Sequence, residues 1–397
     1  MESECYDVVV VGGGPAGATA ANDLASRGHS VLLIERSFRI KPCGGAIPPR
    51  CIEEFEIPQH LLVAKIQSAR MISPANQRVD MPIADTYVGM VDRDVFDPWL
   101  RQRAAEAGVT VVTGAFDALE YLPDNTIAIS YRDKSQGGAK RSVHARSVIG
   151  ADGAKSRVAR QCIPGAEKLK CVFAYHEIIE SPEGVNSEDF DAARCDVWYQ
   201  GRLSPDFYAW VFPHGSKTSI GVGSAHKAFS APDSVAALRK DVALDGATTL
   251  RRKGAPIPLK PLKRWDDGRG VLLAGDAAGV VAPASGEGIY YAMLGGRLAA
   301  DAVEAFLTSG DVAALRQARR QFMKLHGRVF FVLGLLQRFW YGSDKRREKF
   351  VTMCRDPDVQ YLTWQAYTRK ELVRREPMAH IRVFFKDLAQ LMGLARA

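Results

Sequence analysis

The apolar pattern fixes a first element at once. Val8–Val11 is an unbroken β-branched run. It leads into Gly12-Gly13-Gly14-Pro15-Ala16-Gly17, then a helix-like stretch to Arg27, then a second apolar run, Val31–Ile34, that ends on Glu35. Strand, glycine turn, helix, strand and acid in that order predict a dinucleotide-binding βαβ unit. Gly12 permits the tight turn, Gly14 lets main chain approach a pyrophosphate, and Gly17 lets the helix press on the strand. Pro15 and Ala16 open the helix, whose free N–H groups and dipole favour an anion. Glu35 stands where a carboxylate can accept from ribose hydroxyls. These residues leave open which dinucleotide is bound.

Further along, alternation predicts strands at Ile66–Ile72, Arg78–Ile83 and Thr86–Val91, then a helix over Arg93–Ala107 with Asp92 or Asp94 near its start. Arg93, at a strand-to-helix junction, either reaches a phosphate or is a surface arginine. Strands follow at Val109–Thr113, Thr126–Tyr131 and Val143–Ile149, the last running into Gly150-Ala151-Asp152-Gly153, locally a turn with an N-cap aspartate. Residues 166–260 carry short alternating runs that predict an antiparallel sheet. Within them, Pro205–Pro213 puts Phe207, Ala209 and Val211 on one face and Tyr208, Trp210 and Phe212 on the other. The aromatic face reads either as core packing or as the wall of an apolar pocket.

A third strand-to-glycine turn, Gly275-Asp276-Ala277-Ala278-Gly279, is followed by Gly286, Gly288 and a helix from about Ile289 to Leu307. From Val312 the chain is essentially helical. Val329–Tyr341 is apolar almost all round, which predicts burial or a partner surface. Ile381, Phe384, Phe385, Leu388, Leu391 and Met392 make an amphipathic final helix, read either as packing on the body or as docking on a membrane.

Composition narrows this picture little. Apolar residues make up 47% and charged residues 25%, ordinary values for a soluble chain of two or three domains. No apolar run approaches the roughly 18 residues needed to span a bilayer. The seven cysteines, at 5, 43, 51, 162, 171, 195 and 354, form no CxxC pair. This argues against a disulfide framework or a zinc site, predicts no metal, and suits a reducing compartment. The start of the chain lacks the features of a signal or transit peptide. Charge is more informative. Of a net +8, residues 311–397 hold 18 Lys+Arg against 8 Asp+Glu, so the basicity is a property of the C-terminal segment. It suits an anionic membrane surface or is a solvated face. The tail carries no nucleic-acid motif.

The glycine unit with Glu35, the GADGAKS stretch with Asp152 and the GDAAG stretch with Gly275 and Asp276 together resemble the signature of the para-hydroxybenzoate-hydroxylase-like FAD proteins. The resemblance implies FAD, with Glu35 toward the adenosine ribose, Asp276 toward the ribityl–pyrophosphate region, and Arg93 at a position that often contacts cofactor. Two more stretches, KPCGGAIPP at 41–49 and PDFYAWVFP at 205–213, resemble the geranylgeranyl reductases, closest to their chlorophyll and bacteriochlorophyll branch. That implies reduction of three isolated double bonds of a geranylgeranyl chain to phytyl. It also implies NADPH as electron donor, docking without a second Rossmann unit.

The fold expected is therefore α/β: a Rossmann-like FAD-binding domain (1–65, 87–165, 261–310), an inserted antiparallel substrate domain (66–86, 166–260) and a helical, basic region (311–397). Expected cofactor contacts are Gly12, Gly14, Pro15, Ala16, Gly17, Glu35, Arg36, Cys43, Gly44, Gly45, Ala46, Arg93, Asp152, Gly275, Asp276, Gly286, Gly288 and Ile289. Expected catalytic residues are Tyr208 and Trp210, as a π-faced wall for a developing cation, and Cys43, itself or through a bound water, in protonation. The expected substrate is a geranylgeranylated tetrapyrrole or geranylgeranyl diphosphate. Expected partners are the photosynthetic membrane, on its cytoplasmic side, and the pigment-esterifying synthase. Rival readings are an archaeal-type lipid or quinone prenyl reductase, an FAD monooxygenase and a non-catalytic prenyl escort.

Overall fold

The computed structural model describes residues 4–37, 41, 43–182 and 189–370. The amphipathic segment expected at 381–392 lies outside the described residues. In chain order the strands and α-helices are β1 (Cys5–Val11), α1 (Pro15–Ala25), β2 (Val31–Glu35), β3 (Ala46–Ile47), α2 (Pro49–Glu54), β4 (Leu62–Ile66), β5 (Ser68–Ile72), β6 (Arg78–Pro82), β7 (Val88–Val91), α3 (Arg93–Glu106), β8 (Thr110–Tyr121), β9 (Ile127–Asp133), β10 (Ala139–Gly150), α4 (Arg157–Cys162) and β11 (Cys171–Glu180). They continue as β12 (Arg194–Trp198), β13 (Ala209–His214), β14 (Lys217–Ser224), α5 (Ala231–Asp241), β15 (Thr249–Pro258), β16 (Val271–Leu273), α6 (Ile289–Ser309), α7 (Arg316–Trp340), α8 (Asp344–Met353) and α9 (Pro357–Thr368).

Two compact units emerge. The first holds residues 1–40, 93–171 and 256–334; the second holds 41–92, 172–255 and 335–397. In the first, β2 pairs in parallel with β1 and β8, and β10 pairs in parallel with β1 and β16. Parallel strands covered on both faces need apolar side chains at every position, which is why β1 and β2 read as unbroken runs. Val8, Val9, Val10 and Leu33 are fully buried. β8 and β10 run on past the parallel sheet and form an antiparallel meander with β9.

The second unit contains a seven-stranded sheet, ordered β15-β11-β14-β13-β12-β5-β6, and a three-stranded sheet, β3-β7-β4. Two expectations change here. The larger sheet is not wholly antiparallel, because β5 pairs in parallel with β12. The single strand expected over 66–72 is two, switching sheets at Gln67, whose N–H donates to Ala193 O at 2.8 Å. Residues 41–65 and 87–92, expected with the nucleotide domain, gather in this unit because β3, β4 and β7 pair with one another. One face of the large sheet packs Ala209, Val211, Ile220 and Val222 against Val235 and Leu238 of α5.

Candidate active site

The nucleotide cradle is built mostly from missing side chains. Gly12 has φ +105°, and a Cβ there would lie 2.4 Å from Ala151 O. A Cβ on Gly17 would lie 1.9 Å from Gly12 O, so any side chain would force α1 off β1. A Cβ on Gly14 would meet nothing within 4 Å, leaving open space at the start of α1. That end carries no side-chain cap and has Pro15 in its first turn. An uncapped N-terminus beside open backbone fits a pyrophosphate.

Glu35 is held by main chain, accepting from Gly13 N–H at 2.6 Å and from Ser37 N–H at 3.0 Å. Arg36, next to it, is exposed. Buried Arg101 donates to Gly13 O at 3.0 Å. The sequence pattern missed Arg101; its only signal is one helical arginine among others in α3.

The third glycine turn joins this cradle. Gly275, at φ +61°, would place a Cβ 2.7 Å from Ala16 Cβ, and a Cβ on Gly296 of α6 would lie 2.2 Å from Ala16 O. Glycines thus bring α6 and Asp276, which is buried, against α1. Gly286 has φ +66°, and α6 begins at Ile289 with Gly288 as an N-cap that offers no side chain. These N-termini lie in the same unit as Glu35.

Asp152 and Arg93 stand differently. Asp152 accepts from the Ser156 hydroxyl, from Arg157 N–H at 2.6 Å and from Val158 N–H at 3.4 Å, so it binds the first turn of α4. Burial raises its pKa, against the lowering effect of those bonds. The N-cap of α4 is Ser156, which accepts from Ala159 N–H at 2.8 Å, and not the aspartate that the local reading expected; Asp152 supports that cap from the preceding turn. Arg93 is buried, not a surface arginine, and donates from Nε and Nη2 to the two carboxylate oxygens of Asp97 one turn on, at 2.6 and 2.7 Å.

The second unit gathers the other candidates. Tyr208, Trp210 and Phe212 form a row with ring centroids 6.0 and 6.2 Å apart. β14 makes room for it: a Cβ on Gly221 would lie 2.2 Å from the Trp210 ring. Trp210 Nε1–H donates to Ser219 Oγ at 3.1 Å, which fixes the plane of the indole. Phe207 departs from the expected alternation. β13 begins only at Ala209, and Phe207 stacks on Tyr208 at 4.3 Å and covers Gly223. Tyr199 joins at 6.2 Å from Tyr208 and meets Tyr341 and Phe350 at 5.4 and 5.0 Å. The row is therefore one face of the sheet, opposite the apolar core of Ala209 and Val211.

The Cys43–Gly45 turn lies at the Phe212 end. A Cβ on Gly44 would touch the Phe212 ring at 2.9 Å. Cys43 is a half-buried free thiol whose Sγ accepts from Gly45 N–H at 3.4 Å. Ala46 pairs with Met90. His214, one strand position pair beyond Phe212, contacts Gly44 O and Asp92 at 3.0 and 3.1 Å. The sequence reading passed over His214; the signal was a lone histidine just after the aromatic motif. His176, on β11 of the same sheet, lies 3.0 Å from Ser219 Oγ, and burial, then Arg251 and His214, push its pKa down to about 4. Among the described residues no group of His, Cys, Asp and Glu is arranged to hold a metal.

Comparison with known proteins now decides the family. Residues 5–171 match the FAD binding domain family. A geranylgeranyl diphosphate reductase of Rhodobacter capsulatus is 54% identical over 98% of this chain and 98% of its own length. The chain belongs to the geranylgeranyl diphosphate reductase family. A chloroplastic geranylgeranyl diphosphate reductase of Oryza sativa is 37% identical over 97% of this chain and 86% of its own. A solved structure of a geranylgeranyl bacteriochlorophyll reductase-like protein from Thermoplasma acidophilum shares the fold, with TM-score 0.80, 22% identity and coverage of 95% of this chain and 99% of that one. The reductase family and the FAD-binding fold that the motifs implied are both borne out.

Proposed function

We propose that this reductase uses FAD and NADPH to saturate three isolated double bonds of a geranylgeranyl chain. The substrate is a geranylgeranylated tetrapyrrole or geranylgeranyl diphosphate, in (bacterio)chlorophyll synthesis. The observation that carries the reading is the pairing of two substrate-side features within one unit: Gly44 of the Cys43 turn packs on the end of the Tyr208–Trp210–Phe212 row. Cofactor motifs alone fit many flavoproteins.

Gly14, Pro15, Ala16 and Gly17 would take the pyrophosphate of FAD, Glu35 the adenosine ribose, and Asp276 with Gly286, Gly288 and Ile289 the ribityl side. When bound, FAD supplies the hydride equivalent. The remaining chemistry falls to the chain. An isolated trisubstituted alkene is unpolarised, so it must gain a proton as it is reduced. The aromatic row offers π faces to the tertiary cation that protonation creates, a contact worth roughly 2 kcal/mol or more in a desolvated site. Cys43, or a water on its thiol, is the proposed proton donor.

Membrane association is supported by α7. Leu325, Phe331, Val332 and Leu335 are exposed on it, Phe331 at 73%, while Arg320, Lys324, Arg328 and Arg338 are exposed on the same helix. Apolar side chains beside basic ones suit an anionic bilayer surface. Among the described residues no helix is long and apolar enough to cross a membrane. The segment expected to be buried or partnered at Val329–Tyr341 is divided: Phe330, Trp340 and Tyr341 are buried, and Phe331 and Leu335 are not.

Anaerobic NADPH oxidation with geranylgeranyl diphosphate or its pigment ester tests the reading. The expected result is three NADPH consumed per chain with no oxygen requirement. Consumption that needs oxygen and yields a hydroxylated product would replace the reading with a monooxygenase.

A further inference from the structure

His214 lies on the same face of β13 as Tyr208, Trp210 and Phe212, and closes the row with a polar ring whose side chain is only 4% exposed. Its two nitrogens meet two acceptors. Nε2 is 3.0 Å from the Gly44 carbonyl oxygen, and Nδ1 is 3.1 Å from Asp92 Oδ1, while Lys217 Nζ donates to Asp92 Oδ2 at 3.2 Å. A carbonyl oxygen only accepts, so Nε2 carries a hydrogen. Burial alone would raise the Asp92 pKa, but hydrogen bonds and charge from His214 and Lys217 outweigh it and hold the carboxyl below its ordinary range. The carboxylate faces the other nitrogen, Nδ1. Around the ring stand Asp92 after β7, Lys217 on β14, and on β11 His176, which burial keeps neutral near pH 7.

The turn is shaped to this ring. Gly45 has φ +72°, and a Cβ there would lie 2.4 Å from His214 Cε1 and 2.6 Å from Val91 O. Gly44 meets Phe212 in the same way. The two glycines let the turn settle on two side chains of one strand, and the Gly44 carbonyl is tied to the second of them.

We propose that His214, held in place by Asp92, is a positioning residue of the reductase: its Nε2–H fixes the Gly44 carbonyl and thereby the place of the Cys43 thiol at the end of the aromatic row. The inference rests on the reading that this turn serves prenyl reduction. It goes further by giving that turn a side-chain anchor, which acts through the main chain of Gly44.

The test uses the flavin-loaded full chain and three readouts. Histidine-selective 15N NMR on the wild type asks whether Nε2 carries the hydrogen. The rate of iodoacetamide alkylation at Cys43, followed on its peptide by mass spectrometry, reports the turn without any turnover. Single-turnover reduction of a geranylgeranyl substrate reports function. The expected pattern is a ring with its hydrogen on Nε2, whose signal is lost in H214Q. His214→Ala should change Cys43 alkylation about tenfold and slow reduction by about tenfold or more, with FAD content unchanged, the scale of one buried hydrogen bond left unmade. H214Q, which keeps an N–H near Nε2, should recover most of both losses. A wild-type ring whose Nε2 carries no hydrogen overturns the proposal even if no variant folds. Alkylation unchanged in H214A, or H214Q no better than H214A, also overturns it. Altered alkylation with unaltered reduction overturns the positioning role. A wild type that reduces no geranylgeranyl chain breaks the functional reading instead, and NMR and alkylation then still decide whether His214 anchors the turn.

Discussion

In the nucleotide unit the decisive residues are those with nothing beyond Cα. Gly12, Gly17, Gly275 and Gly296 each leave room that a single methyl would fill, and the candidate ligand contacts are mostly backbone N–H groups. The sheet unit works the other way. There Tyr208, Trp210, Phe212 and His214 line one face of β13, and glycines matter as gaps beneath rings, as at Gly221 under Trp210. A phosphate is recognised by oriented dipoles that any sequence can supply once the chain turns correctly. An apolar polyene has no such handle and must be recognised by the shape and π faces of particular side chains. The comparison teaches that the first unit specifies a cofactor and the second a chemistry.

The largest effect expected from breaking this division is at Gly17. Its Cβ would sit 1.9 Å from Gly12 O, so Gly17→Val should abolish FAD binding, read as a colourless protein with no flavin absorbance after purification. A yellow, active G17V would show that the close approach of α1 to the glycine turn is not what holds the cofactor.

A smaller effect separates the two units by pH. His176, on β11 of the same sheet, is buried, and burial lowers its pKa to about 4 when folded, against 6.5 as its ordinary value. Between those values the unfolded chain binds more protons than the folded one, so stability rises with pH there and is lost as pH falls from 6.5 toward 4. The loss attributable to this ring is about 3 kcal/mol at most. Urea unfolding should show His176→Gln losing less stability than the wild type across that window. Equal losses in both proteins would mean that the ring is not the sensitive group.

The smallest effect expected concerns α7. Phe331→Glu should weaken flotation with anionic liposomes severalfold while leaving the rate on soluble geranylgeranyl diphosphate unchanged. Flotation equal to wild type would leave the exposed stripe without a membrane role.

Legibility in the sequence follows the same line. The first βαβ unit was readable because its requirements are local: an apolar run, glycines at fixed offsets and an acid at the next strand end. Helix α3 was readable to within a residue, since Arg93–Glu106 was expected as Arg93–Ala107. The sheet unit was harder because its order joins distant segments. Nothing near Ile66–Ile72 says that the chain changes sheets at Gln67 or that β5 runs parallel to β12. Strict alternation misplaced Phe207 because the strand starts two residues later. Arg101 and His214 escaped notice for one reason: each is a lone polar residue whose partner, Gly13 O or Gly44 O, is a main-chain atom far away in sequence. The aromatic motif was legible as a pattern; that Phe212 at its end packs on Gly44 was not.

The central claim is that the aromatic face of β13, rather than the nucleotide cradle, determines what is reduced. It is tested most directly by anaerobic turnover of wild type and Trp210→Leu with NADPH and geranylgeranyl bacteriochlorophyllide ester, following pigment masses by time. The account predicts that the wild type adds hydrogens in pairs, through up to three steps, and that Trp210→Leu keeps its reduced flavin but reacts about a hundredfold more slowly. An unchanged pigment in the wild type with its flavin intact and reduced, or a Trp210→Leu rate equal to wild type, would contradict it.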